Sequence, residues 1–424
     1  MKKIIEYLNN SSFFPYFIIT PIPYAIGTAA IDILFGINKA KEKNKKLLII
    51  APSFGQKILN YQVCNDFLFD KILIENFSQE RNFIRIFFSI FINLNFFFFR
   101  SISLIILKIF KARLKESYFF SFIGISQSYE DKVETKEKTI DDIKKIDFFY
   151  NKNPIHLSEK FKNDGSKILN KIGCEKNQDF ICLHVREGLF RNDENRRPFR
   201  NSNIFNYNDL IQYLINKNIF VIRIGRKSQK PLKIKSKYLF DLPFSDQKYN
   251  FFDIFLIKYC KFYIGDQSGP TDTAVLLGKD CLKTNMLRVF ELPPTTIKSR
   301  TICKLPFYKH NNQQLNLKEY INLPYKYHHP EFIDKELDFT ENSSEDLYNA
   351  IEEFWNLIYN QANIDNQLNQ MQINFNKDLE KKFEKMYFGN DAYLNKFYRK
   401  KILFKWLRST QGSYCQNFLK KHYK

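Results

Sequence analysis

Between Phe180 and Asn285 the chain repeats one pattern: a short apolar run, a turn, then a stretch with helical spacing. The runs are "FICLHV", "IFVIRIG", "KYLFDL", "KFYIGD" and "DCLKTN"; the helical stretches "YNDLIQYLINKN", "NFFDIFLIKYC" and "TDTAVLLG" fall among them. None of these runs alternates strictly between polar and apolar residues, as expected of strands covered on both faces. Such strands, interleaved with helices, predict a parallel, doubly wound sheet.

The amino-terminal part carries a second version of the pattern. "PYFIIT" and "KLLIIAPSFG" read as strands around the helical "TAAIDILFGINKA", followed by a helix at "GQKILNYQVCNDFLF" and a strand-like run "YFFSFIGIS". At 424 residues two domains are expected. A charged stretch without apolar periodicity, "SQSYEDKVETKEKTIDDIKK", marks the boundary. The predicted organisation is a Rossmann-like domain over 1–150, a second over 151–330, and a helical extension over 331–424. In that extension "SSEDLYNAIEEFWNLI" starts on a Ser cap with acidic residues in its first turn.

Composition narrows the partners. The net charge of +21 favours polyanions. The lysines are scattered, however, and Lys, Asn, Ile and Phe are abundant together, as AT-rich coding produces. No nucleic-acid-binding motif is present, so specific nucleic-acid binding is not expected, and a peripheral attraction to anionic lipid headgroups is the better reading. Seven cysteines without a C-x-x-C pair read as buried thiols of a reducing compartment. No Cys or carboxylate stands at metal-ligand spacing from His328 and His329, and no metal is expected. At the amino terminus Glu6, Asn9 and Asn10 interrupt what a signal peptide would need, so the expected location is cytoplasmic, with association at the inner face of the cell membrane. The Phe-rich segment 83–110 contains Arg85, Asn93, Asn95 and Arg100, which keep its uncharged runs short of the roughly 20 residues of a spanning helix. A core helix is expected there, with a helix lying in the membrane interface as the alternative.

Three clusters carry the chemistry. His184, Arg186 and Glu187 fall where "FICLHV" ends, and in a parallel sheet ligands bind beyond the carboxyl ends of strands. An ion pair of Arg186 with a nearby carboxylate would serve structure alone. "FYIGDQSGPTDTAVLLG" takes a strand through Asp266, Ser268 and Gly269 into a helix at about Thr271, whose N-terminal amides suit a phosphate. An ordinary strand-turn-helix corner would look similar, and neither a Walker loop nor a G-x-G-x-x-G is present. "RRPFRNSNIFNY" places Arg196, Arg197, Arg200 and Asn201 in one loop, suited to a diphosphate or simply solvated. Arg223, inside the apolar "FVIRIG" that ends on Gly225, needs an anionic partner or a cleft.

The series "FICLHVRE", "FRNSNIFNY", "IFVIRIG", "FFDIFLIKYCKFYIGDQSG" and "LKTN" resembles a bacterial family of glycosyltransferases associated with surface-polysaccharide synthesis. Its members show H-V-R-D, R-N-x-D/N-I-x-x-Y, V-I-R-M-G and C-x-F-x-I-G-x-x-S-G in the same order. The resemblance covers most of Phe180 to Asn285 and returns in "ENSSEDL" and "GSYCQNFLKKH". It implies an α/β, GT-B-like chain, with two Rossmann-type domains facing a cleft and carboxyl-terminal helices. The H-V-R segment is similar to that of fucosyltransferases, which hold a GDP diphosphate with arginine.

Carried over, the resemblance implies that Arg186 contacts a nucleotide diphosphate and that Ser268 and Gly269 close around it. Arg200, Asn201, Arg223, Gly225, Asp266 and Thr271 complete the expected nucleotide-sugar site. The implied activity is metal-independent hexosyl or deoxyhexosyl transfer to a glycan or lipid-linked acceptor, with a GDP- or UDP-linked donor as substrate and no cofactor. Glu187 and His184 are the leading candidates for the catalytic base, with Asp193 and Glu194 also open. The chain departs from the family in three places: Glu187 replaces an aspartate, Gly278-Lys279-Asp280 lacks a proline, and Pro270 follows the S-G pair. A non-catalytic sugar-nucleotide or glycan binder, or a basic peripheral membrane protein, are the other readings.

Overall fold

The computed structural model describes residues 2–52, 56–58, 64–70, 73–74, 83–110, 155–189, 198–225, 230–246, 250–287, 289, 296–324, 336–360, 370–388 and 412–424. The run "YFFSFIGIS", the charged stretch after it, and His328 and His329 lie outside them, as do Asp193, Glu194, Arg196 and Arg197. The chain divides into two compact units. The first takes Met1–Lys132, Lys152–Gly165 and Tyr249–Phe255, and the second takes the remainder.

The first unit starts with α1 (Lys2–Asn10), β1 (Tyr16–Ile19), α2 (Ile26–Glu42) and β2 (Lys46–Ile49). β1 and β2 pair in parallel from Tyr16↔Lys46 to Ile19↔Ile49, so these residues form the expected β-α-β step. Gly36 lets α2 lie close on the strands, for a Cβ there would sit 2.8 Å from Ile19 Cδ1 and 3.0 Å from Leu47 Cδ1. Asn9 is buried and uses its amide as a strand would, donating to Ile18 O (2.9 Å) and accepting from Ile18 N (2.7 Å). Along the chain follow α3 (Asp66–Asp70), β3 (Leu73–Ile74), α4 (Phe83–Phe110) and β4 (Ile155–His156), with β3 and β4 antiparallel. The expected core helix at α4 is core on one face only. Phe88, Ile92 and Phe96 are buried, whereas Phe87, Ile90, Leu94 and Phe98 are more than half exposed.

α5 (Glu159–Lys171) runs across the boundary between the units. Beyond it come β5 (Phe180–His184), α6 (Asn208–Asn216), β6 (Phe220–Arg223), β7 (Leu239–Asp241), α7 (Asn250–Tyr259), β8 (Tyr263–Gly265), α8 (Gly269–Leu276) and β9 (Cys281–Met286). They are followed by β10 (Arg300–Cys303), β11 (Leu305–Tyr308), α9 (Leu317–Asn322), β12 (Leu337–Thr340), α10 (Ser344–Tyr359), α11 (Gln370–Phe388), β13 (Ser413–Tyr414) and α12 (Gln416–His422). Seven strands form one sheet in the order β7-β6-β5-β8-β9-β10-β13, and each neighbouring pair is parallel. Counted from β5, the first six strands stand in the order 3-2-1-4-5-6 of a doubly wound Rossmann sheet. The unbroken burial of β6, β8 and β9, and of β5 up to Leu183, explains why their sequences show no alternation. α8 starts at Gly269, two residues before the expected Thr271. β13 extends the same sheet, so the carboxyl-terminal segment adds a strand as well as helices.

Asp346 fastens that segment. It completes the capping box of α10 with Ser343 and accepts hydrogen bonds from Lys421 (2.9 Å) and His422 (3.4 Å) of α12. Burial pushes its carboxyl up, but the hydrogen bonds from His422, Lys421 and Ser343 outweigh this and hold it well below the usual aspartate range. A carboxyl depressed in the folded state contributes stability above its unfolded pKa of about 3.9, and loses it as pH falls towards the folded value. Thermal unfolding of wild type and Asp346→Asn across pH 3–7 checks this. The wild-type advantage, about 1–2 kcal/mol near neutrality, should shrink below about pH 4; a gap independent of pH would contradict it.

Candidate functional site at the switch of the sheet

The strand order reverses between β5 and β8. From β5 the chain moves outward through β6 and β7, then returns to β8 on the other side. The connections leaving the two adjacent carboxyl ends must therefore diverge, which opens a crevice above them. His184 closes β5, with Arg186 and Glu187 just beyond, and Asp266 and Ser268 follow β8.

Asp266, fully buried, joins the two ends. Its Oδ2 accepts the Arg186 backbone N–H (2.6 Å), while its Oδ1 accepts no hydrogen bond and lies 3.7 Å from His184 Nδ1. The Arg186 guanidinium donates through Nη1 to Asn201 Oδ1, and Arg186 O accepts from Ser202 N (2.9 Å). Arg200 reaches the other connection, with Nη2 3.4 Å from Gln267 O. The arginine loop and the β8 turn thus meet at the end of β5. Ser268 caps α8 by backbone position alone, and Pro270 sits in the first turn, where its missing N–H breaks no helical bond but removes one donor from the tip.

The Thr271 proton in the β8 turn can be assigned. Thr271 Oγ1 lies 2.6 Å from the Asp266 carbonyl, which can only accept, so the single threonine proton goes there. In a hydrogen bond between Ser268 Oγ and Thr271 Oγ1, 3.1 Å apart, the serine must then be the donor. Ser268 Oγ also lies 3.0 Å from His184 Nδ1. With the Ser268 proton on Thr271, a neutral His184 carries its proton on Nδ1 and its lone pair on Nε2; with that proton given to Nδ1 instead, the tautomer is reversed. Asp266 Oδ1 on the same side favours the first tautomer. Gly225, at φ +139°, passes the ring closely: a Cβ there would lie 3.8 Å from His184 Cδ2 and 3.9 Å from Nε2.

Glu187 and Arg223 form a separate, buried ion cluster. Arg223 has no exposed surface; its Nη2 donates to Glu187 Oε2 (3.0 Å), and its Nη1 donates to Lys230 O (2.7 Å) and lies 3.5 Å from Asp241 Oδ1. The Glu187 side chain is 7% exposed. Burial raises the Asp241 carboxyl, against the pull of the Leu232 amide and Arg223. Of the expected site residues, His184, Arg186, Arg200, Asn201, Asp266, Ser268, Gly269 and Thr271 gather at the switch point, Gly225 borders them, and Glu187 and Arg223 pair beside them.

Lys304 was not among the expected residues. It is buried, and its Nζ donates to Asn201 O (2.5 Å). Burial pushes its pKa down, while Glu341, Asp266 and Asp338 raise it and Arg186 lowers it. The signal was of the kind Arg223 gave, a cation inside the apolar "TICKLPF".

No protein-family model matches the chain, and no curated protein matches it. Among solved structures it is similar to a glycosyl transferase family 9 protein from Veillonella parvula DSM 2008, with 11% identity and a TM-score of 0.34 over 65% of this chain and 82% of that one. So distant a likeness carries no argument, and the functional reading rests on the sequence motifs and the geometry of the switch point.

Proposed function

We propose that this chain is a glycosyltransferase that moves a hexosyl or deoxyhexosyl group from a nucleotide sugar to a glycan or lipid-linked acceptor. The observation that carries the reading is the meeting of Arg186, Arg200 and the α8 N-terminus at the switch point, beside His184, whose Nδ1 is held by Ser268 Oγ at 3.0 Å. Transfer breaks the bond between the anomeric carbon and the diphosphate and forms one to the acceptor oxygen. Guanidinium groups and helix amides stabilise the charge that grows on the departing diphosphate, and the reaction so driven needs no metal or other cofactor. His184 Nε2 takes the acceptor proton, which fits a single displacement with inversion. Asn201, Asp266, Ser268 and Thr271 hold these groups in place. The second unit binds the donor and the first the acceptor, in a GT-B-like division of labour. The proposed setting is surface-polysaccharide synthesis on the cytoplasmic side of the membrane; the seven buried free thiols are compatible with it.

A second reading, a non-catalytic sugar-nucleotide binder, is favoured by one observation. Glu187 stands where the resembling family has an aspartate, and its carboxylate is engaged by Arg223. Sugar-dependent release of nucleotide separates the two, since only the enzyme turns over.

Calorimetric titration with UDP, GDP, CDP, CMP and ADP tests the site. One of them should saturate, and Arg186→Ala should weaken its binding by about 2 kcal/mol, roughly 30-fold, as expected for a lost charge-assisted contact. Failure of every nucleotide to bind would remove the donor site.

A further inference from the structure

α4 carries an apolar stripe on its outer face. Phe83, Ile86, Phe87, Ile90, Leu94, Phe98, Ile102 and Ile105 recur at intervals of three or four residues, and their exposures run from 36% to 81%. Eight large apolar side chains in one stripe exceed what a soluble monomer ordinarily leaves to water. The stripe has neighbours in α1 and the loop after it, where Ile4, Tyr7 and Phe13 are 50%, 65% and 75% exposed. Ring contacts run from Tyr7 to Phe13 (6.5 Å), from Phe14 to Phe88 (5.9 Å), and from Phe88 through Phe87 to Phe91.

Two further observations identify what covers this face. The polar side chains of α4 are turned back on the helix itself: Asn93 Nδ2 donates to Ser89 O (2.8 Å) and Asn95 Nδ2 to Phe91 O (2.8 Å). Each bond satisfies one amide donor of its asparagine without water, as an apolar surrounding favours. The charges are also of one sign. Arg85 is half-buried and Arg100 is buried, α4 has no Asp or Glu, and residues 1–52 hold seven lysines against three acidic residues. Lys43 and Lys45 lie at the carboxyl end of α1. Lys43 Nζ donates to Asn10 Oδ1 (2.8 Å), and Lys45 Nζ to the carbonyls of Leu8, Asn9 and Ser11.

From these features we infer that the outer face of α4, with the exposed side of α1, docks the first unit on an anionic phospholipid bilayer. α4 is long and apolar enough to span by length and composition, but its inner face excludes that arrangement. Phe88 and Ile92 share one core cluster with Ile18 of β1, Leu48 of β2 and Ile50 just after it, so the inner face of the helix is packed on the sheet rather than free to meet lipid. The helix lies in the interfacial plane, stripe inward, with the net positive charge of the amino-terminal segment drawing it to the anionic headgroups. The inference is independent of the proposed reaction.

Sedimentation of the full chain with sucrose-loaded vesicles tests it. Wild type should pellet with vesicles of 70% phosphatidylcholine and 30% phosphatidylglycerol, and about tenfold less with phosphatidylcholine alone. The triple variant Ile90→Gln, Leu94→Gln, Phe98→Gln should lose about tenfold or more of the anionic-vesicle binding while keeping its thermal midpoint and its nucleotide titration. Three outcomes would overturn the inference: no pelleting of wild type, equal pelleting of the variant, or a wild-type dimer that the variant dissociates while vesicles leave both in solution. Resistance of the vesicle-bound protein to alkaline carbonate would overturn the in-plane placement in favour of a span.

Discussion

Arg223→Met is expected to destabilise the second unit by about 3–5 kcal/mol, the cost of breaking a buried ion cluster from one side. The guanidinium has no exposed surface and faces two carboxylates, Glu187 at 3.0 Å and Asp241 at 3.5 Å. Methionine fills a similar volume, so the loss is electrostatic: two acids remain with their counter-charge gone. Burial already raises the Asp241 carboxyl even with Arg223 in place, and removing the cation raises it further. A carboxyl whose folded pKa is raised gives stability that is fully present below its unfolded pKa and lost as pH rises through the folded one. The variant should therefore be least impaired near pH 4 and most impaired at pH 8. Pairing it with Glu187→Gln should recover part of the loss, because one buried charge is gone. Urea unfolding at the two pH values checks all three statements, and a loss below about 1 kcal/mol at pH 8 would show that the cluster is solvated.

The same cluster shows how far a sequence reveals its own site. Arg223 stood out because a cation inside an apolar strand must find an anion. Its partner could not be named, because Glu187 is 36 residues away on a neighbouring strand end and Asp241 belongs to β7. The parallel sheet was legible because strands covered on both faces lose their alternation, and six strands in doubly wound order then put His184 at the switch point. Other features have no local signature. β13 is two residues long and owes its place to register with Arg300 and Thr301. Residues 152–165 and 249–255 join the first unit through contacts such as Phe67 with Phe161 and Phe251, which no periodicity encodes. In α4 apolar residues occur all round the helix, so the sequence leaves open which face is core. The geometry decides it through Phe88 and Ile92.

The largest effect on turnover is expected from His184→Gln, which should lower kcat by about 10²–10⁴ while leaving nucleotide affinity within about threefold. The expectation follows from the hydrogen bonds of the β8 turn. Thr271 gives its proton to Asp266 O; with the Ser268 proton on Thr271, His184 Nδ1–H donates to Ser268, which leaves Nε2 as the basic nitrogen. Ser268→Ala separates positioning from chemistry. It removes the contact that positions Nδ1 but not the ring, so activity should fall less, by about tenfold. Glu187→Gln should change kcat least of the three, because its carboxylate is committed to Arg223. The comparison is made on sugar-dependent nucleotide release, once the binding nucleotide is known. If Glu187→Gln abolished turnover and His184→Gln left it intact, the base would be the glutamate, and its ion pair with Arg223 would have to open in the donor complex. If neither mattered while nucleotide still bound, His184 would be a ring held for packing between Ser268 and Gly225, and the switch point would be a binding site without a base.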